Sequence, residues 1–304
     1  LGAVLLFPVF CRDFGIKGIW MSVFHSISAF CNAGFDILGT TDHTFVSLTG
    51  YSRNIWLNIV IMLLIILGGI GFLTWEDFYT NKFKFKRYRM QSKVILITTA
   101  ILIIAPAVFF FACDFGNLPA GKRLLASVFQ SVTTRTAGFN TEDLSLMTEA
   151  GKAVMILLML IGGSPSSTAG GMKTTTFAVL ILNALATFRS REDAGAFGRR
   201  FDGQVVKNAA TIAMMYFMLF FFGGITISVY EGLPLLTCLY EAASAVGTVG
   251  LTLGITPELH IISRLILIAL MYLGRVGGMT LIYAVFSRKN NNGAKMPLEK
   301  ITVG

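Results

Sequence analysis

Long apolar runs alternate along this chain with shorter apolar segments that precede glycine-containing loops. A helix that crosses a bilayer needs about 20 apolar residues, and such helices are predicted over 54–75, 94–113, 208–230 and 260–286. Short helices are predicted over 16–30, 121–134 and 233–246. A further apolar run begins at 151–162, breaks at a polar glycine-rich segment and resumes to residue 188. Residues 1–10 are interpreted as the last turns of a truncated spanning helix.

Each short helix is followed by the same pattern: a polar residue, a small residue or valine, a glycine and a bulky apolar residue. The pattern occurs as Asn32-Ala33-Gly34-Phe35, Thr136-Ala137-Gly138-Phe139 and Thr248-Val249-Gly250-Leu251. Thr-Val-Gly is how the backbone-carbonyl filter of potassium channels begins, and glycine adopts backbone angles that let a chain approach a pore axis closely. Close helix packing through small residues explains isolated glycines but not one repeated pattern.

The three loops therefore predict a cation filter made of backbone carbonyl groups, with K⁺ at the filter as the only bound metal. The residues predicted to line it are Cys31, Asn32, Ala33, Gly34, Arg135, Thr136, Ala137, Gly138, Gly247, Thr248, Val249 and Gly250.

The composition indicates an all-α polytopic membrane protein. Of 304 residues, 54% are hydrophobic and 13% charged, whereas soluble domains have about 25% charged residues. The four cysteines, Cys11, Cys31, Cys113 and Cys238, lack metal-binding or redox spacing and are interpreted as small buried residues. The chain starts without a methionine or a basic leader, which predicts that it begins inside a longer protein.

The net charge of +9 is concentrated in 82–93, in 189–207 and after residue 286, whereas the other loops are richer in acidic residues. By the positive-inside rule the basic segments and the C-terminal tail are predicted to be cytoplasmic, and the glycine loops to open outward. The charge is thus explained by topology, and no nucleic-acid partner is expected.

The break after 151–162 reads GGSPSSTAGGMKTT. It is not a phosphate-binding loop, because that motif requires glycine directly before lysine and Met172 separates Gly171 from Lys173. A kink at Pro165 leaves the flanking glycines unexplained. Irregular backbone at membrane depth is tolerated where it lines a path, so the segment is predicted to plug the path below the filter. The predicted gate comprises Gly163, Ser164, Pro165, Ser166, Ser167, Thr168, Ala169, Gly170, Gly171, Lys173 and Arg275.

Three basic residues lie at membrane depth. Arg275 is central in an apolar helix, where a charge is costly and usually functional; the alternative is a structural arginine with a partner. Lys173 is predicted either to act at the gate or to extend to the membrane interface. Arg135 is expected to point away from the pore axis toward Glu241.

The units SAFCNAGF, TTRTAGF and SAVGTVGL, with GGSPSSTAGGMKTT and LGRVGGMTL, resemble the Trk/Ktr/HKT superfamily of potassium-translocating subunits, in particular its bacterial Ktr and Trk members. The resemblance implies pseudo-fourfold membrane–pore–membrane repeats around one pore, with a filter glycine in each. It implies a gating loop in the third repeat, with Arg275 facing the pore beneath the filter. In this scheme 1–81 is the second repeat with a truncated first helix, 94–190 the third and 204–288 the fourth. Residues 289–304 form a cytoplasmic tail, and the first repeat is missing.

The expected function is therefore a K⁺ uptake pore of the bacterial plasma membrane, with Na⁺ as an additional or alternative ion. The resemblance implies a homodimer and a separate cytosolic regulatory ring that binds nucleotide; no cofactor is expected in this chain. No enzymatic constellation is present, and catalysis is not expected. The alternative is a secondary cation transporter with broken helices, which shares repeats and midplane glycines. Such a transporter is expected to carry intramembrane acids, which are scarce here.

Overall fold

In a computed structural model, residues 1–40, 46–191 and 193–277 of the protein are described, and most of them are helical. The helices are α1 (Gly2–Phe14), α2 (Lys17–Phe30), α3 (Ile55–Gly69), α4 (Phe72–Asn81), α5 (Met90–Cys113), α6 (Ala120–Thr133), α7 (Glu149–Leu160), α8 (Thr174–Phe188), α9 (Gly203–Glu231), α10 (Leu235–Val246) and α11 (Ile261–Val276). A short hairpin, β1 (Gly195–Ala196) and β2 (Arg199–Arg200), lies between α8 and α9. Residues 278–286 of the last predicted helix and the tail at 289–304 lie outside the described residues.

Among the described residues, two helices are long and apolar enough to cross a membrane, and the bent pair α3 and α4 makes a third if it is taken as one span. The two long helices are α5, with 24 residues and a mean hydropathy of 2.7, and α9, with 29 residues and a mean hydropathy of 2.0. Large apolar side chains on their outer faces are exposed, among them Ile104, Val108 and Phe222. Exposed apolar surface of this kind is what a lipid environment accommodates, so the fold is that of an all-α membrane protein.

The prediction of one continuous helix over 54–75 is wrong. The chain forms α3 and α4, which are bent by 95° at the break between them. Glycine is a poor helix former, and Gly71 has a φ of 89°, outside the helical range. A Cβ atom at Gly71 would also overlap the carbonyl oxygen of Pro165. The bend is therefore fixed by a close contact with the segment that follows α7.

The short helices differ in burial: α10 and the end of α6 lie in the interior, whereas α2 buries one face and leaves Trp20 and Ile27 exposed. Every residue of α10 from Tyr240 to Val246 is buried, and α6 is buried over its last turns. Helix α10 packs against α7, α9 and α11, while α6 packs against α5 and α3. One hydrophobic cluster surrounds α10 and a second joins α1, α3 and α6. Each short helix thus leads directly into one of the three glycine loops.

Candidate functional site

The three glycine loops share one backbone conformation. In each, the polar residue and the glycine two positions later have positive φ: 50° and 70° at Asn32 and Gly34, 63° and 82° at Thr136 and Gly138, and 51° and 91° at Thr248 and Gly250. Left-handed backbone at a residue other than glycine costs on the order of 1–3 kcal/mol and persists only where the surroundings impose it. Because the same costly conformation occurs in all three loops, we infer that the surrounding structure imposes it.

Each loop is also tied to the helix before it. The amide of the residue before the glycine donates to a carbonyl of the last helical turn: Ala33 to Ser28 (2.9 Å), Ala137 to Thr133 (3.0 Å) and Val249 to Ser244 (2.8 Å). The loop amides are thus directed back to the helix. No described residue donates a hydrogen bond to the carbonyl oxygens of Ala137 and Val249, so these oxygens are available to a ligand.

The loops lie side by side and touch through their main chains. A Cβ atom at Gly34 would overlap the carbonyl oxygen of Ala137, and one at Gly138 would overlap the carbonyl oxygen of Val249. The order around the site is therefore first loop, second loop, third loop. A Cβ atom at Gly250 would meet no described atom within 4 Å. Glycine is required at the first two positions by both the positive φ and the close approach.

The predicted helix break is present between α7 and α8. The chain leaves α7 at Ile161 and returns at Met172, which pair in an isolated parallel bridge. The Gly162 amide donates to the Met172 carbonyl (2.7 Å) and the Thr174 amide to the Gly163 carbonyl (3.0 Å). The residues between form a closed, non-helical loop, which we call the 163–171 loop.

The 163–171 loop is docked on the break between α3 and α4. The Ser164 amide donates to the Gly69 carbonyl (2.9 Å), and the Phe72 amide donates to the Ser166 carbonyl (2.9 Å). A longer bond joins the Thr168 amide to the Gly68 carbonyl (3.4 Å). Sequence reasoning placed these glycines at the end of a spanning helix and missed their role; the cluster Gly68-Gly69-Ile70-Gly71 was the available signal.

The same loop touches two of the glycine loops. The Thr168 hydroxyl lies 3.0 Å from the Phe30 carbonyl and 2.9 Å from Asn32 Oδ1. On the other side, a Cβ atom at Gly170 would overlap the hydroxyl of Thr248. The 163–171 loop is thus immediately adjacent to the proposed ion path.

Two cations contact neighbouring carbonyls of the 163–171 loop. Lys173 Nζ donates to the Ala169 carbonyl (2.6 Å) and Arg275 Nη1 donates to the Thr168 carbonyl (2.9 Å). In this structure Lys173 therefore bonds to the loop, and the alternative in which it extends to the membrane interface does not apply.

Helix α11 holds Arg275 close to the loop. Gly274 allows α11 to approach the end of α10, because a Cβ atom there would overlap the Val246 carbonyl. The hydroxyl of Tyr216, on α9, donates to the Gly274 carbonyl (3.1 Å). The backbone next to Arg275 is therefore held by two other helices.

The predicted pairing of Arg135 with Glu241 is wrong. Arg135 is buried, and its Nε has no hydrogen-bond partner among the described residues. The Glu241 carboxylate instead accepts hydrogen bonds from the Thr252 hydroxyl (2.7 Å), the Leu253 amide (2.9 Å) and the Thr256 hydroxyl (2.8 Å). These donors lie just after Gly250, so Glu241 is satisfied within its own loop.

The cysteines also depart in part from expectation. Cys238 is buried, as predicted, and Cys11 is half-buried, whereas Cys31 and Cys113 are exposed. Cys31 caps the end of α2, the helix before the first glycine loop.

Comparisons with known proteins agree on one family. The sequence profile of the TrkH family, described as cation transport protein, matches residues 1–293. The potassium/sodium uptake protein NtpJ of Enterococcus hirae is 40% identical, over 100% of this chain and 68% of NtpJ. The Ktr system potassium uptake protein B of Bacillus subtilis is 34% identical, over 95% of this chain and 64% of that protein.

A solved structure supports the fold. The crystal structure of the potassium transporter TrkH from Vibrio parahaemolyticus matches with a TM-score of 0.72 at 18% identity, over 93% of this chain and 62% of that one. The chain therefore spans about two thirds of the length of these relatives. Because the family profile matches nearly the whole chain and two relatives are 40% and 34% identical to it, the chain belongs to the TrkH family of cation transport proteins.

Proposed function

We propose that this protein is the membrane-spanning pore subunit of a K⁺ uptake system, and that its glycine loops form a selectivity filter. The observation that carries the proposal is the row of three loops with matching positive φ, in which each of two glycines lies against a carbonyl of the next loop. Carbonyl oxygens arranged around an axis replace the water shell of a cation. The filter residues are those predicted from the sequence, acting through their backbone.

The proposed pore has four membrane–pore–membrane repeats, of which this chain supplies three, over 1–81, 94–190 and 204–288. In such a ring the remaining position lies beside Gly250, the filter glycine whose added Cβ would meet no described atom. The greater length of the relatives is consistent with this arrangement. K⁺ and Na⁺ are both candidate ions, since NtpJ is named for the uptake of potassium and sodium.

The proposed gate is the 163–171 loop together with Lys173 and Arg275. The loop touches Asn32 and Thr248 of the filter, so a cation that leaves the filter meets it next. Arg275 acts in two ways. Its hydrogen bond to Thr168 latches the loop, and its charge repels a cation more strongly than it would in water, because the local dielectric is lower.

The basic segments 82–93 and 189–207 are proposed to face the cytoplasm, where Lys and Arg accumulate. Within the superfamily assignment they are the surface for a cytosolic nucleotide-binding regulatory ring, and two copies of the pore subunit form a homodimer. The B. subtilis relative is named as one protein of a Ktr system, which is consistent with a partner subunit.

Uptake measurements test the function. Expression of the protein with all four repeats of the proposed pore, in a bacterium that lacks its own K⁺ transporters, is expected to restore growth at low external K⁺ and to produce rubidium uptake that Na⁺ inhibits weakly. Uptake that depends on an imposed Na⁺ gradient would favour the coupled transporter over the pore. If this four-repeat protein is present in the membrane and takes up neither ion, the proposal is wrong.

A further inference from the structure

We infer that the Asn32 side chain is a positioning residue that links the first two filter loops to the gate, so that ion selectivity and gating are coupled. This inference rests on the proposed function, because it assigns a role to Asn32 within that filter. It concerns the side-chain amide, whereas the filter itself uses the backbone of the same residue.

The Asn32 side chain joins the second filter loop to the 163–171 loop, both of which lie more than 100 residues away from it in sequence. The side chain is 6% exposed. Its Nδ2 donates to the carbonyl of Arg135 (3.3 Å) in the second filter loop, and its Oδ1 accepts from the Thr168 hydroxyl (2.9 Å) in the 163–171 loop. A buried amide that uses both its donor and its acceptor is held in one orientation. Movement of Thr168 is therefore transmitted to a carbonyl of the filter.

Thr168 contacts both Asn32 and Arg275, the residue proposed to latch the loop. Its carbonyl oxygen accepts from Arg275 Nη1 (2.9 Å), while its hydroxyl has two acceptors, Asn32 Oδ1 and the Phe30 carbonyl. The hydroxyl carries one proton, so the two acceptors share it. Release of Arg275 frees Thr168 to move, and any such movement weakens the bond to Asn32.

The link belongs to one loop of the three. At the matching positions the other loops have Thr136 and Thr248. The Thr136 hydroxyl is buried without a partner among the described residues, and that of Thr248 lies against Gly170 without bonding the second filter loop. Threonine has a single short hydroxyl and cannot span the two partners that the Asn32 amide joins. The coupling is therefore asymmetric around the pore.

Asparagine suits position 32 in two respects: its backbone tolerates a positive φ, and its side chain offers both a donor and an acceptor. Its φ of 50° is left-handed, a conformation in which asparagine is enriched. Aspartate would keep the acceptor for Thr168 but would lose the donor to the Arg135 carbonyl and add a charge. An apolar residue would leave the Thr168 hydroxyl with one acceptor.

The test uses paired substitutions at Thr168 and measures flux and the K⁺/Na⁺ uptake ratio in proteoliposomes. Thr168→Val removes the hydroxyl at nearly constant volume, and Thr168→Ser keeps it. Thr168→Val is expected to raise flux and lower the K⁺/Na⁺ ratio by about tenfold, the size expected for a buried hydrogen bond, whereas Thr168→Ser retains both. Asn32→Ala is expected to lower the ratio similarly, and the double variant to add nothing further.

Thr226→Val is the matched control, because it makes the same change at a hydroxyl that donates to the Phe222 carbonyl (2.8 Å) within α9, outside the filter and the gate; it should leave the ratio unchanged. If Thr168→Val alters flux alone while the wild type selects K⁺, the coupling is wrong although filter and gate stand. If Thr168→Ser loses selectivity as Thr168→Val does, volume and not the hydroxyl matters, and the inference is again wrong. A wild type that takes up no cation would refute the proposed function itself.

Discussion

At Gly34 and Gly138 the main chain of one loop lies directly against a carbonyl oxygen of the next. Side chains at these two positions have no room, and positive φ adds a second cost. The carbonyls in contact, those of Ala137 and Val249, are also proposed ion ligands. Steric pressure at a glycine is therefore expected to change ion preference before it changes the fold.

Gly138→Ala is the direct test of this expectation. The added methyl group must displace the Val249 carbonyl, so the K⁺/Na⁺ uptake ratio should fall by about tenfold, or about 1.4 kcal/mol in differential binding. Gly232→Ala is the control: Gly232 has a φ of 68° and open space around it, so it carries the same backbone cost outside the filter. An unchanged ratio in Gly138→Ala with normal uptake would remove Gly138 from the filter.

Sequence alone identified these glycines because the pattern around them is local and repeated. It predicted Asn32 as a backbone ligand of the filter but gave no sign of its contacts with Thr168 and Arg135, since those contacts join residues more than 100 positions apart. The guess that paired Arg135 with Glu241 failed for the same reason. A charged residue at membrane depth predicts that a partner is present, but the sequence does not show which residue that partner is.

Helix α11 carries two arginines that both donate to backbone carbonyls, with different consequences. Arg264, near its start, donates to the carbonyls of Leu259 (2.8 Å) and Pro257 (2.6 Å). Arg275, in its last turn, reaches Thr168 of the 163–171 loop. The two bonds of Arg264 fix the start of α11 to the residues just before it. The bond of Arg275 connects the end of α11 to the loop between α7 and α8.

Arg275→Ala is expected to raise K⁺ flux by about tenfold, because one charge-assisted hydrogen bond and one repulsive charge are lost. The K⁺/Na⁺ ratio is expected to change less than the flux. Rubidium uptake into proteoliposomes measures both, and Arg264→Ala, on the same helix, should leave flux near the wild-type value. A variant that inserts normally but transports nothing would show that Arg275 is structural.

The 163–171 loop could be predicted from the sequence, whereas the bend on which it docks could not. The break after α7 was visible as nine residues rich in glycine and serine, since no regular helix tolerates that composition. The 95° bend between α3 and α4 was not visible, because apolar sequence continues across it. Gly71 adopts its positive φ against Pro165, a contact that only the assembled bundle supplies.

The two long spans start from basic segments that touch each other. Helix α5 begins at Met90, within the basic segment 82–93, and α9 begins within the basic segment 189–207. Lys93 Nζ of the first segment lies 5.6 Å from the centre of the Phe197 ring of the second. Both basic segments therefore lie at one end of the molecule. The order of the apolar runs is visible in the sequence itself. Their packing around α10 depends on contacts between distant residues, which no local pattern encodes.

Cysteine labelling tests which end faces the cytoplasm. In a variant with Cys11, Cys31 and Cys238 replaced by serine, Cys113 at the end of α5 is exposed. It should react with a membrane-impermeant maleimide in intact cells. With Cys113 also replaced, a Lys86→Cys variant should react only after permeabilisation. Labelling in the reverse order would show that the basic segments are extracellular.

The docking of the 163–171 loop on the α3–α4 break has a consequence for how such proteins diverge. The bonds at Ser164, Phe72 and Thr168 use amide and carbonyl groups, which almost every amino acid provides. Replacement of an exposed loop side chain such as that of Ser166 therefore leaves these backbone bonds intact. Gly71 has no such freedom, because any mutation that adds a Cβ atom displaces Pro165. Selection is expected to act strictly at Gly71 and, within the loop, at Gly170 and Thr168, which touch the glycine loops, and loosely at exposed positions such as Ser166.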